Sequence, residues 1–471
     1  MDCYQMQNIT VDFDKVLCPD FLGLNAIYHG FAWMPENLLR GMTDADRERE
    51  FDTVMEARLR IARTMFYPGD NCEKIEGPYD MHCPRMEAIR KWCQAMKDRG
   101  VTVALQTGWH YSRNTYFGHD APNSEVDPQR FAKWAAESFS YLMNDCGLDN
   151  IRYAFLFTEP TSYASGDTPE GYTLWTYYVK ICKAIDQSFR EYGLRERLKF
   201  VGPNNTSGGT HLAEAVRDLN DVIDIYSSHD YNFAHQGQWA NMAQNMANIV
   251  APTGKPFWMD EYGMQLEVFR RTPEYGNYIG QVITASMAAG HQTTMIWTLV
   301  DQLHCSSEPM GLPEDAVDDG SHSYNRDSFH NGIHRWGLVS SPLDTVENAG
   351  SPYPSWYAYL LISKALGGRL DGGKVASVYT ESAMTLYAAA VKQDEEYTVM
   401  VVNSNAEETK FTLDLGKIFD RPIYRHVFDP YSAAPCYGTQ AAPIKVPCER
   451  KVLTDILPMS AVAIYTTREV L

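Results

Sequence analysis

The sequence predicts an α/β protein, a (β/α)8 TIM barrel followed by a C-terminal β-sandwich domain. Three observations predict it. From about Phe21 to Leu366 short β-type runs alternate with amphipathic helical stretches. Eight such runs occur in about 350 residues, which suits a closed parallel barrel better than an open doubly wound sheet. After Leu366 the texture changes to alternating apolar and polar positions broken by turn-like clusters, the pattern of a sandwich.

The strand candidates, in order, are FLGLNA (Phe21–Ala26), IARTMF (Ile61–Phe66), VTVALQTGW (Val101–Trp109) and IRYAFLFTEP (Ile151–Pro160). LKFVGPNN (Leu198–Asn205), VIDIYSSHDY (Val222–Tyr231), PFWMDEYG (Pro256–Gly263) and TTMIWTLVDQ (Thr293–Gln302) complete the set. Helical segments separate them. In CPRMEAIRKWCQAMKDRG, Met86, Ile89, Trp92, Cys93 and Met96 recur at helical spacing and Gly100 stops the run. No GxGxxG or GxxxxGK[ST] follows an early strand, which removes the main support for a nucleotide-binding fold. The expected organisation is an N-terminal strand in residues 1–16 that joins the sandwich, a barrel over 17–366 and the sandwich over 367–471. Its strands are read from VASVYT, MTLYAAAVK, EYTVMVVNS, TKFTLDL and AVAIYTT.

Composition narrows the function classes. The chain has 471 residues, 44% of them hydrophobic and 12% aromatic, enough for a large packed core, which excludes a disordered protein. The formal net charge of −19 repels phosphate backbones and anionic membrane surfaces, so neither nucleic acid nor membrane is an expected partner. No apolar run reaches the roughly 20 residues of a membrane helix, and MDCYQMQNITVDFDKV lacks the layout of a secretory signal. Ten dispersed cysteines without a CxxC pair read as reduced thiols in a cytoplasmic protein.

Catalytic side chains of such a barrel sit where strands end at its C-terminal face. Two of the eight runs end in a glutamate within apolar sequence, Glu159 in FLFTEPT and Glu261 in FWMDEYG. Two carboxyl groups facing each other across a small cleft are the equipment of glycoside hydrolysis, one protonating the leaving oxygen and the other attacking the anomeric carbon.

The chain resembles the clan A retaining glycoside hydrolases, with the closest pattern in families 39, 30 and 5. FLFTEPT and FWMDEYG match their acid/base and nucleophile strands. SSHDYN, IARTMF and MIWTLVD match the strands that carry a His and Tyr, an Arg and a Trp. RWGLVSSPLD followed by PSWYAYLLISK resembles their run into the last helix, and ILPMSAVAIYTT their closing strand. The resemblance implies Glu159 as acid/base and Glu261 as nucleophile. Arg63 would hydrogen-bond Glu261 and keep it ionised. His229 and Tyr231 would orient the carboxylates or bind sugar hydroxyls, and Trp297 would give the sugar ring an apolar face. Trp109, His110 and Tyr111 of TGWHY are further sugar-site candidates. Thr158 stands where the clan usually has Asn. It can donate one hydrogen bond to the sugar 2-hydroxyl but lacks the amide's paired donor and acceptor.

The expected activity is that of a retaining glycosidase on a small oligosaccharide or glycoside, with a carbohydrate as partner, no cofactor or metal, and homo-oligomerisation left open. Two alternatives stand beside it. One is an inactive carbohydrate-binding barrel. The other is a metal-dependent hydrolase using the His-rich segment 303–335, which carries His304, His322, His330 and His334.

Overall fold

The computed structural model describes residues 6–28, 30–39, 41–72, 77–107, 127–159, 170–205, 209–231, 238–264, 266–303, 333–344, 349–366, 373–381, 385–417, 419–433, 436–440, 442–446 and 451–469. The chain enters through β1 (Gln7–Phe21), turns at Gly23 with φ +74°, and starts the barrel at β2 (Leu24–Ile27). Phe21 therefore closes β1 instead of opening the first barrel strand, because the left-handed turn at Gly23 interrupts the apolar run.

Seven more parallel strands complete the barrel: β3 (Ile61–Met65), β4 (Thr102–Gln106), β5 (Ile151–Phe155), β6 (Lys199–Asn205), β7 (Ile225–Asp230), β8 (Phe257–Tyr262) and β9 (Thr293–Ile296). Leu24 beside Thr294 closes the ring. Helices α1 (Asp44–Glu56), α2 (Pro84–Asp98), α3 (Pro128–Ser140), α4 (Leu174–Glu191), α5 (Leu212–Asp218), α6 (Trp239–Val250), α7 (Glu274–Ala288) and α8 (Pro354–Leu366) follow the strands in turn. Their apolar stripes cover the barrel. On α2, for example, Met86, Ile89, Trp92, Cys93 and Met96 are all buried, and Gly100 at φ +69° follows the helix end.

The barrel interior is built in layers. Ile61, Ala104, Phe155, Val201, Ile225, Trp258 and Met295 form one apolar layer. Side chains on a strand return to the same face every second residue. Two positions beyond that layer stand Arg63, Gln106, Phe157, Pro203, Ser227, Asp260 and Trp297, all buried. The layer nearest the C-terminal face thus mixes polar and charged side chains with apolar ones.

The remaining strands are β10 (Gln302–Leu303), β11 (Ile333–His334), β12 (Gly373–Thr380), β13 (Leu386–Gln393), β14 (Glu396–Asn403), β15 (Thr409–Asp414), β16 (Ile423–Phe428), β17 (Ile444–Val446), β18 (Val452–Leu457) and β19 (Val462–Thr466). β10 and β11 form a small pair of their own. The others join β1 in a nine-stranded mixed sheet of order β17-β16-β19-β14-β13-β12-β1-β15-β18. The sheet curls into a sandwich-like unit. Ile9 and Leu413 near one end share a core with Ile423 near the other, and Arg425 of β16 bonds Asp455 of β18 at 2.5 Å.

Helix α7 lies between barrel and sheet, and two glycines set the approach. A Cβ on Gly276 would come within 2.7 Å of both Ala358 and Phe428, and one on Gly280 within 3.0 Å of Val462. Among the described residues, no disulfide joins any of the cysteines, and no helix is long and apolar enough to cross a membrane.

Candidate active site

β5 and β8 deliver the two glutamates, each through an irregularity. In the β7–β8 ladder Ser228 pairs with Met259 and His229 with Glu261, so Asp260 is the extra residue of a bulge. A bulge re-aims the side chains around it. Asp260 and Glu261, though adjacent, both lie close to Arg63, at 3.8 and 3.4 Å.

Beyond β5 the chain turns sharply. Phe157 and Glu159 take φ values of +42° and +49°, and Asn204 at the end of β6 takes +54°. Such conformations are costly without glycine. Asn204 holds the turn in place. Its side-chain amide donates to Phe157 O at 3.1 Å and Thr158 Oγ1 at 2.8 Å, and its carbonyl accepts the Glu159 N–H at 2.9 Å.

His229 stands between the glutamates and is fully buried. Its Nε2 lies 3.0 Å from Glu159 Oε1 and its Nδ1 3.1 Å from Glu261 Oε2. Neither contact has the alignment of a directional hydrogen bond, so the ring acts chiefly through its charge. Burial opposes that charge, but the two carboxylates, Glu261 foremost, outweigh it and raise His229 to about 10.

Burial also works against ionisation of Glu261. The His229 charge, the Arg63 guanidinium and the Tyr231 hydroxyl, which donates at 2.6 Å, reverse the balance and hold this carboxyl below its ordinary range. Asp260 goes the other way. Burial pushes it up to about 6 against the pull of Arg63 and His229.

Arg63 is 1% exposed and ties the polar layer together. It donates to Asp260 O at 2.9 Å, to Thr158 Oγ1 at 3.2 Å, to Asn204 Oδ1 at 3.4 Å and to Gln106 Oε1, and its guanidinium lies 4.1 Å from the Phe155 ring. Its contact with Glu261 is an ion pair. Thr158 is buried and accepts from both Asn204 and Arg63.

On the other side of the mouth Trp297 packs with Ile27 and Met65, and Tyr67, Tyr231 and Trp336 lie against them. The structure thus brings together Arg63, Thr158, Glu159, His229, Tyr231, Glu261 and Trp297. Trp109, His110 and Tyr111 lie outside the described residues, as does 304–332 of the His-rich segment. Among the described residues, no group of three His, Cys, Asp or Glu could hold a metal ion.

Sequence reasoning passed over Gln106, Asn204, Asp260, Arg270 and Trp336. For Gln106 and Asp260 a signal was present, since each stands two residues beyond an apolar barrel residue on its strand.

Comparison with known proteins follows the fold. No protein-family model matches the chain, and no curated protein does. Solved structures do. A GH30 endoxylanase from Clostridium papyrosolvens C71 matches with a TM-score of 0.65 at 13% identity, over 98% of this chain and 100% of that one. SrfJ from Salmonella typhimurium matches with 0.63 at 14% identity, over 99% and 93%. A GH39 β-xylosidase from Caulobacter crescentus matches with 0.61 at 14% identity, over 98% and 99%. At these identities the likeness is one of fold, and it extends over barrel and sheet together. Families 30 and 39 are two of the three that the sequence motifs resemble.

Proposed function

We propose that the protein is a retaining glycoside hydrolase that cleaves a small oligosaccharide or glycoside by double displacement. The observation that carries this reading is the pair of carboxyl groups, Glu159 from β5 and Glu261 from β8, on the two nitrogens of one buried imidazole. Glu261 is held in the anionic form a nucleophile needs, and it attacks the anomeric carbon. Glu159, whose side chain is 14% exposed, protonates the leaving oxygen and then takes the proton of the attacking water. Trp297 supplies an apolar face for the ring, and Thr158 is the candidate for the 2-hydroxyl.

A panel of dinitrophenyl xylosides, glucosides, galactosides, arabinosides and glucuronides tests the reading. NMR of the first product formed should show retained anomeric configuration. In Glu159→Ala the activated glycosides should still glycosylate the enzyme, giving a burst that azide relieves, because only proton transfer, typically worth 10² to 10⁴-fold, is lost. Glu261→Ala should lose turnover on every member of the panel. Near-wild-type turnover in both variants, or inverted product from the wild type, would refute the assignment.

A further inference from the structure

We infer that Trp336 is a second sugar-contacting residue, that it forms an aromatic corner with Trp297, and that Arg270 is the positioning residue holding the corner shut. The inference rests on the glycosidase reading and adds to it a residue outside the carboxylate cluster.

The first ground is location. Ile27 and Met65 end β2 and β3, Trp297 directly follows β9 and Tyr231 directly follows β7, so the layer on which Trp336 packs lies at the C-terminal ends of the barrel strands. Tyr231 belongs to this layer and hydrogen-bonds Glu261, so the aromatic surface begins at the nucleophile. Trp336 is only half-buried there.

The second ground is shape. The rings of Trp297 and Trp336 lie 6.0 Å apart and 50° from coplanar. Two tilted faces clasp one pyranose from two sides, whereas a flat strip of rings would suit an extended chain. The ligand class is a single terminal sugar that presents its C–H face.

The third ground is Arg270. It is 2% exposed, and among the described residues its hydrogen bonds go to main-chain carbonyls: Trp297 O at 2.5 Å, Trp336 O at 3.0 Å, and Met264 O. The guanidinium lies 5.9 Å from the Tyr231 ring and 6.0 Å from that of Trp336. Space is kept for it. A Cβ on Gly263 would fall 2.7 Å from Arg270 Nη2. A buried cation costs much desolvation. Here it fastens together the three segments that carry the nucleophile's loop and the two tryptophans. Its planar fork spreads five N–H donors in a fixed plane, so it can reach carbonyls on separate segments that the compact ammonium of a lysine would not span together.

The test uses the full chain and the aryl glycoside that the wild type cleaves fastest. Trp336→Ala should raise KM about tenfold, the equivalent of about 1.4 kcal/mol, with kcat within about threefold. Trp336→Phe, which keeps a ring in place, should show a smaller rise, and Arg270→Lys should raise KM with Trp336 intact. Thermal melts establish that each variant is folded. If Trp336→Ala does not fold, the other two variants decide. KM within twofold of wild type in folded variants would overturn the inference and leave the two-carboxylate reading standing. Absence of hydrolysis by the wild type on the whole panel would refute that reading, and this inference with it.

Discussion

Replacing His229 with Gln keeps polarity and approximate size but removes the cation between the glutamates. The nitrogen–oxygen distances of 3.0 and 3.1 Å place the charges at about 4 Å, where one ion pair is worth about 4 kcal/mol at an effective dielectric constant near 20. Arg63 and Tyr231 remain beside Glu261, so the variant loses only part of what holds this carboxyl below its ordinary range. Loss of a neighbouring cation raises a carboxyl's pKa. The acid limb of kcat/KM should therefore move to higher pH. The assay is kcat/KM for the best dinitrophenyl glycoside from about pH 3.5 to 9, and salt should change the shift little because the pair is buried. Stability should change with a definite sign as well. His229 is raised in the folded state, so its contribution is full below about 6.5 and lost as pH rises through about 10. Glu261 is lowered, so its contribution is present above its unfolded value and lost as pH falls. The melting-temperature gap between wild type and variant should then be widest between about pH 4.5 and 6.5 and narrow on either side. An acid limb displaced by less than about 0.5 unit would show that His229 does not set the charge of Glu261.

Two predictions away from the site have opposite signs. Glu50 on α1 is buried, accepts from the Tyr28 hydroxyl at 2.8 Å and is raised by burial to about 7, so the folded state favours its protonated form and stability falls as pH rises from 4.5 to 7. Glu50→Gln should recover at most about 3 kcal/mol above pH 7 and under about 1 kcal/mol at pH 5, read from urea melts; equal effects at both would refute it. His291, buried against Phe257 and bonded to Ala243 O at 3.1 Å, is lowered by burial to about 4, so the wild type should lose stability as pH falls from 6.5 through 4. His291→Gln should flatten that acid slope, and an unchanged slope would place the acid-labile group elsewhere.

Barrel strands were legible because strands buried on both faces read as short apolar runs whatever their tertiary partners. Strands β16, β17 and β18 were not. β17 and β18 are the edges of the sheet, with Ile444, Val452 and Ile456 exposed, and an edge strand lacks the clean alternation of a half-buried one. In β16 Arg425 faces Asp455 where the curled ends meet, so a charge stands where the alternating pattern calls for an apolar residue. The site divides in the same way. Glu159, Glu261, His229 and Tyr231 stand at strand ends, where position alone marks them. Asn204 and Arg270 act by bonding main-chain carbonyls of distant segments, and carbonyls leave no trace in the identity of the residues that own them.

The contrast between Asp260 and Glu261 shows what the barrel adds to that sequence. The two acids are adjacent, 0% and 4% exposed, and both near Arg63, yet one is pushed up to about 6 and the other held below the ordinary range. Burial is nearly equal, so burial cannot separate them. Neighbouring charges do. Glu261 lies 3.1 Å from the His229 ring and 3.4 Å from Arg63 and also receives the Tyr231 hydroxyl, whereas the guanidinium contact of Asp260 is longer, 3.8 Å, and the negative charge of Glu261 stands beside it. A buried acid with less compensating positive charge favours its neutral form. Each proton held by Asp260 leaves Glu261 with more of the positive charge of Arg63 and His229. The bulge that admits Asp260 to the polar layer therefore leaves two neighbouring carboxyls with opposite protonation tendencies, and the anionic form is concentrated on Glu261.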